Sequence, residues 1–183
     1  MLIQSAQNNL NTPIINFNLQ GTDKHFYSPE DFKDKKVLIF IFMCNHCPYV
    51  KAVIERFVKF QTKYADKSVQ IVAINPNDST AYPQDSFDNM IKFHKDNKMN
   101  FPYLIDETQE TTQSYGAVCT PDIYLYDSDR ILRYRGRWDN NWKDESSVTN
   151  KDIEIVTELL LQNKDITDVE QHPSMGCSIK WKS

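Results

Sequence analysis

The chain has 183 residues and a formal net charge of −4, with 40% hydrophobic and 25% charged residues. This size and composition predict one soluble globular domain, and the negative charge argues against a nucleic-acid surface. No run of the sequence approaches the roughly 18 apolar residues that a membrane span requires.

The N-terminus and the number of cysteines give an expectation for the cellular compartment of the protein. Residues 1–10 carry neither a basic start nor a long apolar stretch, so we expect no signal peptide and a cytoplasmic location. Structural disulfides are rare in the cytoplasm. The four cysteines of the chain therefore predict catalysis or metal binding rather than a framework of disulfides.

The first elements predict a small hairpin. Residues 13–19 alternate between apolar and polar side chains, which is typical of a half-buried strand. A turn and a short returning strand should follow at 21–27. Ser28 should then cap a short helix that begins at Pro29.

The longest apolar run, residues 37–43, is rich in β-branched and aromatic residues and does not alternate. It predicts a central strand that is buried on both faces. From Val50 onward, apolar residues recur at helical spacing, and the charged residues between them should face water. These charged residues are Lys51, Glu55, Arg56, Lys59 and Lys63. Cys44 then lies in the turn that leaves the strand and Cys47 in the first turn of the helix, where Pro48 is tolerated.

A second buried strand is predicted at 69–74. It should pair in parallel with the first, because a strand, a helix and a strand in this order require a crossover connection. The turn-rich loop at 75–83 leaves the same edge of the sheet as the two cysteines, so it either overhangs them or is an ordinary connection. A helix is predicted at 85–97, with His94 on its face or boundary.

The second half of the chain predicts further elements of an α/β fold. A short edge strand at 101–105 and a helix at 106–115 should precede an antiparallel hairpin of 122–126 and 131–135. An amphipathic helix at 151–161 should close the fold. Its inward residues should be Ile155, Val156, Leu159 and Leu160.

The turn with Cys44 and Cys47 is the candidate reactive site. Unpaired N–H groups at a helix N-terminus favour negative charge, and cysteines in such positions can have pKa values of roughly 3.5–7.5. A Cys44 thiolate would attack a disulfide, and Cys47 would close an internal disulfide with it and release the substrate. His46 is a candidate cation that would stabilise the thiolate. Two cysteines at this spacing near a βαβ pattern are typical of redox proteins.

Two alternatives use the same residues differently. Cys44 and Cys47 could bind copper or zinc, and with Cys119 and a histidine they supply enough ligands for tetrahedral zinc. Metal content after purification without a chelator separates this hypothesis from the redox one. The second alternative to the redox hypothesis is a redox-inactive interaction module. An unchanged phenotype in a Cys44→Ser variant would favour it.

Five stretches of the sequence carry a resemblance to a known family. They are residues 42–51 (FMCNHCPYVK), 73–78 (AINPND), 115–122 (YGAVCTPD), 134–137 (YRGR) and 176–182 (GCSIKWK). On these stretches the chain is identified as a member of the thioredoxin-like superfamily. It resembles the peroxiredoxin-like redoxins of the AhpC/TSA group, which are close to thiol-disulfide oxidoreductases of the ResA and TlpA type.

This resemblance implies an α/β, thioredoxin-like fold: a central mixed β-sheet flanked by helices, with an N-terminal β-hairpin and a C-terminal tail. We expect a single domain over residues 1–183, with a core at about 13–162 and a tail at about 163–183. The resemblance also implies an antioxidant-type thiol-disulfide oxidoreductase. Such an enzyme needs no cofactor beyond its redox-active disulfide, and its electrons would come from a thioredoxin or glutathione system.

The resemblance further assigns roles to residues outside the cysteine turn. The superfamily places a cis-proline loop opposite that turn, and its backbone pairs with the substrate, so Thr120 and Pro121 are predicted to bind substrate. Cys119 would then lie near Cys44 as an alternative resolving cysteine, a thiolate modulator or a metal ligand, unless it is a buried, inert thiol. Cys177, in the tail, either folds back as a resolving thiol or is structural or unpaired.

The sequence departs from both groups of relatives at chemically important positions. Thioredoxins carry a buried carboxylate in the strand before the cysteines and a tryptophan before the first of them, whereas this chain has Met43 and no carboxylate in that strand. The sequence therefore does not identify the group that accepts the proton of Cys47. Peroxidatic peroxiredoxins carry proline seven and threonine three positions before the reactive cysteine. Because Val37 and Ile41 occupy these positions before Cys44, we do not expect efficient peroxide reduction.

Overall fold

The computed structural model describes residues 2–5 and 9–183, so the expectation about a signal peptide lies partly outside the described residues. The described chain contains ten strands and four α-helices. The strands are β1 (Leu2–Gln4), β2 (Leu19–Gly21), β3 (Phe26–Tyr27), β4 (Val37–Phe42), β5 (Val69–Asn75), β6 (Tyr103–Ile105), β7 (Cys119–Thr120), β8 (Asp122–Tyr126), β9 (Leu132–Gly136) and β10 (Met175–Ser178). The helices are α1 (Pro48–Tyr64), α2 (Phe87–Asp96), α3 (Glu110–Tyr115) and α4 (Asp152–Leu161).

A seven-stranded mixed sheet forms the centre, in the order β3-β2-β6-β5-β4-β8-β9. β5 pairs in parallel with both β4 and β6, and the hairpin of β8 and β9 extends the sheet antiparallel to β4. A second, three-stranded sheet has the order β1-β10-β7. This architecture confirms the α/β fold with a central mixed sheet flanked by helices. None of the described helices has the length and apolar character to cross a bilayer.

β4 is the central strand that the apolar run predicted, and all six of its residues are buried. Its alternate side chains enter two separate cores. Ile39 and Ile41 pack with residues of α1, α2 and α4 on one face of the sheet. Phe40 and Phe42 pack against Tyr115 on the other face, with ring centroids 5.8 and 5.5 Å away. Because both faces are covered, no polar position interrupts the run.

The helix after the cysteines is confirmed, but one residue on it was placed wrongly. The apolar positions predicted for the inner face of α1 are all buried. Arg56, expected in water, is also buried, and its Nη1 donates to Asp139 Oδ2 at 2.6 Å and to the carbonyl oxygen of Asn141 at 2.7 Å. These acceptors lie more than 80 positions further along the chain, so local spacing could not reveal them.

The strand predicted at 13–19 is wrong for most of its length. Regular pairing begins only at Leu19. Phe17 is buried but Ile15 is 39% exposed, so this segment anchors a single ring without forming a continuous half-buried face. The returning strand is confirmed as Phe26–Tyr27.

Three further predicted elements can be compared with the structure. The segment expected as an edge strand at 101–105 contains β6, which lies inside the sheet between β2 and β5. α4 is confirmed, but Ile155 is 42% exposed while Ile153 and Val156 are buried, so its inward face is rotated from the one expected. Ser28 does cap the turn that follows it, a 3-10 helix at Pro29–Phe32.

The segment expected as a polar tail packs onto the domain. β10 pairs with β1 on one side and with β7 on the other. Ile179, just after β10, is buried in the same core as Phe40. The C-terminal residues therefore belong to the structure that surrounds the cysteine turn.

Candidate active site

The two cysteines lie at the junction of β4 and α1. Cys44 follows the strand, and Cys47 is the N-cap residue of α1, so the helix begins at Pro48, one residue later than predicted. Both cysteines are fully buried free thiols. The strand–turn–helix arrangement predicted for Cys44 and Cys47 is therefore present.

The interaction between the two thiols shifts their pKa values in opposite directions. That interaction, burial and the charge of Asp85 raise the pKa of Cys44 well above its ordinary value. The same interaction lowers the pKa of Cys47 to about 5 against the effect of burial, with help from Thr120 and the N–H of Val50. We expected the stabilised thiolate at Cys44, but the charge of the pair favours Cys47, which stands directly at the helix N-terminus.

A buried carboxylate from another part of the chain reaches the cysteine turn. Asp85 ends a short 3-10 turn before α2 and is fully buried. Its Oδ1 accepts the N–H groups of Asn45 at 2.8 Å and His46 at 3.3 Å. Its Oδ2 lies 2.6 Å from His46 Nδ1, which is also 3.9 Å from Cys44 Sγ. His46 thus lies between the carboxylate and the first cysteine.

The sequence patterns did not indicate Asp85 as a site residue. The carboxylate expected from thioredoxins would lie in the strand before the cysteines, whereas this one comes from the next βα connection. The available indication was the turn-rich loop at the same sheet edge. That loop does overhang the site, since Asn77 Nδ2 donates to Asp85 Oδ2 at 2.8 Å and the Tyr82 ring stacks on His46 with centroids 5.8 Å apart.

The loop with Thr120 and Pro121 lies opposite the cysteine turn, as predicted. The Thr120–Pro121 peptide bond is cis. Thr120 Oγ1 is 3.6 Å from Cys44 Sγ, and the Thr120 carbonyl oxygen accepts from the protonated Cys47 thiol at 3.1 Å. Thr120 is also paired in β7 with Cys177 of β10. Substrate contact by Thr120 and Pro121 stays a prediction.

The two remaining cysteines have different surroundings. Cys119 Sγ lies 3.9 Å from the carbonyl oxygen of Pro121 and 4.0 Å from that of Ser174, and burial raises its pKa. Neighbouring residues of a strand point to opposite faces, so Cys119 turns away from the face on which Thr120 meets the pair. The Cys177 thiol instead hydrogen-bonds to Cys47, and burial and this bond raise its pKa to about 11.

Three side chains of the site could converge on a cation. One ligand atom each from Cys44, His46 and Asp85 lies within 4.8 Å of the others. Thiolate, imidazole and carboxylate are all zinc ligands. The group differs from the set that the sequence suggested, because Asp85 takes part and Cys47 and Cys119 do not.

An aromatic groove of about 310 Å³ runs beside the pair. Tyr49 and Trp142 line it, with ring centroids 4.3 Å apart, together with Pro121 and Met175. The groove therefore connects the first turn of α1 with the proline loop and the C-terminal strand.

The family model described as AhpC/TSA matches residues 10–135, more than half of the chain. The chain belongs to the AhpC/TSA family. A hypothetical protein from Sinorhizobium meliloti 1021 is 35% identical, with a TM-score of 0.93 and 98% of each chain covered. An uncharacterized conserved protein from Geobacillus kaustophilus is 38% identical, with a TM-score of 0.94, covering 100% of this chain and 97% of that one.

More distant solved structures confirm the thioredoxin-like fold. A thiol:disulfide interchange protein of the thioredoxin family from Chlorobium tepidum is 17% identical, with a TM-score of 0.65, covering 82% of this chain and 97% of that one. At this identity the likeness concerns the fold alone. No curated protein shows significant similarity to the chain. Together, family and fold identify a thioredoxin-like redoxin.

Proposed function

We propose that this AhpC/TSA-family protein is a thiol-disulfide oxidoreductase that works through Cys44 and Cys47. The observation that carries the proposal is a pair of buried free thiols at a strand–helix turn that both meet Thr120, Cys44 Sγ at 3.6 Å from its Oγ1 and Cys47 Sγ at 3.1 Å from its carbonyl oxygen. Two sulfurs in contact can interconvert between a dithiol and a disulfide without a large rearrangement. The proline loop opposite them and the family membership support the same chemistry.

In this mechanism Cys44 attacks the substrate and Cys47 resolves. Cys47 is held in the helix cap, whereas Cys44 borders His46, whose side chain is 25% exposed. As Cys44 attacks, its proton passes to Cys47 across their hydrogen bond. A bond forms between Cys44 and one substrate sulfur, and the other sulfur leaves as a thiolate.

The second step completes the exchange. Cys47 gives the proton that it took from Cys44 to the substrate thiolate released in the first step. As a thiolate, Cys47 then attacks the sulfur of Cys44 and forms the internal disulfide, while the remaining substrate sulfur leaves with the electron pair. The substrate disulfide gains two electrons and the pair loses two. A thioredoxin or glutathione system would return the pair to the dithiol. No cofactor beyond this disulfide is required, and we place this cycle in the cytoplasm.

Disulfide exchange fits the residues around Cys44 better than peroxide reduction. Val37 and Ile41 stand where peroxidatic relatives carry proline and threonine. The hydroxyl nearest to Cys44 belongs to Thr120, on a different element. We therefore propose thiol or protein-disulfide substrates for this member of the family.

Thiol trapping with mass spectrometry across a glutathione redox series tests the proposal. We expect a Cys44–Cys47 disulfide in wild type and in the control variant Cys119→Ser. We expect its loss in Cys44→Ser and in Cys47→Ser. A wild-type protein in which both cysteines stay reduced across the series would refute the proposal.

A metal-binding function is the second candidate, because Cys44, His46 and Asp85 converge. Metal analysis of protein purified without a chelator distinguishes it from the first. Stoichiometric zinc or copper, together with cysteines that resist alkylation until a chelator is added, would establish the metal site. Metal-free protein whose cysteines oxidise to a disulfide would exclude it.

A further inference from the structure

The C-terminal strand brings Cys177 to the buried pair. β10 runs antiparallel to β7, with Cys177 directly opposite Thr120. Directly opposed residues of an antiparallel pair share one face of the sheet, and on this face Thr120 Oγ1 approaches Cys44 Sγ. Cys47 Sγ also lies 3.1 Å from the carbonyl oxygen of Thr120, so Cys177 is near Cys47, and the two thiols influence each other's pKa. Cys44, Cys47 and Cys177 thus form one cluster of sulfurs.

Contacts on both sides of β10 hold Cys177 in this position. Before the strand, Ser174 Oγ donates to the carbonyl oxygen of Gly136 at 2.6 Å. After it, the N–H of Ile179 donates to the carbonyl oxygen of Val118 at 3.1 Å. The segment is therefore fixed at both ends, and the contact between the sulfurs does not depend on a loose chain end.

Gly176 permits the close approach of β10 to the proline loop. A β-carbon at this position would collide with the carbonyl oxygen of Thr120. Glycine is the residue that lets two backbones pass at such a distance. The register that places Cys177 opposite Thr120 consequently depends on Gly176.

The three sulfurs differ in their access to solvent. Cys44 and Cys47 have no exposed surface, whereas Cys177 is partly exposed. A disulfide between Cys44 and Cys47 is therefore hidden from outside thiols. A disulfide that includes Cys177 has one sulfur within their reach.

We propose that Cys177 is a third redox cysteine, which exchanges with Cys47 and connects the buried pair to thiols outside. This inference rests on the proposed dithiol function. Cys177, as a thiolate, attacks the Cys47 sulfur of the Cys44–Cys47 disulfide. The Cys47–Cys177 bond forms and the Cys44–Cys47 bond breaks, and Cys44 leaves with the electron pair and takes up the proton that Cys177 released.

An external dithiol, such as a thioredoxin-type protein, completes the cycle. One of its thiolates attacks the sulfur of Cys177 and releases Cys47. Its second thiol then displaces Cys177, so that the dithiol is oxidised to a disulfide and all three cysteines are reduced. The external dithiol therefore needs to reach only the partly exposed sulfur of Cys177.

Peptide mapping after oxidation in the glutathione series tests the inference. Trypsin separates residues 37–51, which carry Cys44 and Cys47, from residues 165–180, which carry Cys177. We expect a disulfide between these two peptides in Cys44→Ser and its loss in Cys47→Ser. A Cys44→Ser protein with glutathione on Cys47 and a free Cys177 would overturn the inference. The proposed function is judged separately, by the Cys44–Cys47 disulfide of wild type.

A variant that keeps the sulfurs of Cys47 and Cys177 tests whether the strand positions Cys177. Gly176→Ala, added to Cys44→Ser, should cause loss of the linked peptides, whereas Ser178→Ala in the same strand should leave them. Gly176→Ala alone should retain the Cys44–Cys47 disulfide, and a cooperative urea unfolding curve should show that its domain is folded. Undiminished linkage in the Gly176→Ala background would contradict the role assigned to the register.

Discussion

At the scale of single residues, the hydrogen bond between Cys44 and Cys47 decides where the negative charge of the reduced site lies. It raises the pKa of one thiol and lowers that of the other. A helix cap alone would favour a thiolate at either position of the turn. The charge of Asp85 adds to the difference, because it disfavours a second negative charge at Cys44.

Removing the Cys44 sulfur should therefore change the titration of Cys47. We expect the thiolate absorbance of Cys47 to have its midpoint near pH 5 in wild type, following its pKa of about 5. In Cys44→Ala the largest cause of the lowered pKa is gone, so the midpoint should move up. Ultraviolet titration of the reduced proteins measures this, with Cys119→Ala as the control. Equal midpoints in wild type and Cys44→Ala would show that the bond does not set the acidity.

Asp85 should also contribute to stability, since it accepts several hydrogen bonds while fully buried. Asp85→Asn places an NH₂ group among donors, and an unsatisfied buried partner costs about 1–3 kcal/mol. We expect the free energy of unfolding in urea to fall by that amount. Asp88→Asn, at an exposed position in the first turn of α2, should leave it almost unchanged. Identical unfolding curves for wild type and Asp85→Asn would contradict the assignment.

At the scale of elements, α1 is anchored to the chain segment that follows β9. Arg56 and Asp139 form an ion pair at 2.6 Å, with side chains only 7% and 5% exposed. Arg56 also donates to the carbonyl oxygen of Trp142 at 3.3 Å. Trp142 in turn contacts Tyr49 and lines the groove beside the cysteines. This ion pair therefore supports one wall of the candidate site.

Breaking the pair on one side should be costly, because it leaves a buried charge without its partner. We expect Arg56→Met to lower the free energy of unfolding by about 3–5 kcal/mol. Lys59→Met provides a matched control on the same helix, since Lys59 makes only exposed ion pairs with Glu55 and Glu145 and such pairs contribute little. Urea denaturation of the three proteins measures both effects. A similar loss in both variants would show that burial of the Arg56 pair does not matter.

At the scale of the whole molecule, the site should make stability depend on pH. The pKa of Cys47 is about 5 in the folded protein and roughly 8.5 in an unfolded chain. Between these values the unfolded state binds more protons, so the stability of the reduced protein should rise with pH. This contribution is complete above the unfolded pKa and is lost as the pH falls through about 5. Cys44, with its raised pKa, acts in the opposite direction only above its own unfolded value.

Urea unfolding of the reduced protein at a series of pH values tests this dependence. The difference in stability between wild type and Cys47→Ser should grow from pH 5 to about 8.5. Oxidised wild type, which has no thiol at the pair, should lack this contribution. A difference that is constant over the series would contradict the pKa assigned to Cys47.

Local sequence patterns predicted much of this molecule. The unbroken apolar run gave β4, helical spacing gave α1, and alternation around a turn gave the hairpin of β8 and β9. These features depend on residues that are close in the chain. The position of Cys44 and Cys47 between β4 and α1 follows from the same patterns.

The errors concern contacts between distant segments. Arg56 looks like a solvent-facing residue until the loop with Asp139 packs over it. Asp85 looks like the start of a helix, and only the fold brings it under His46. The place of Cys177 depends on how β10 pairs, and a short strand with glycine carries no pattern that specifies its partner. Propensity and periodicity report local preference, whereas these placements are set by tertiary packing.

The pairing of β10 with β7 also bears on what kind of client the protein can accept. With β10 in place, one backbone edge at Thr120 is already paired, so an incoming polypeptide cannot add as an extra strand on that side. Recognition at this edge then does not require an extended, unfolded segment. Under the proposed mechanism, a folded protein with a surface disulfide and a small disulfide such as oxidised glutathione could then both serve as substrates. Selection among clients would fall to the shape of the surrounding surface rather than to a linear sequence motif.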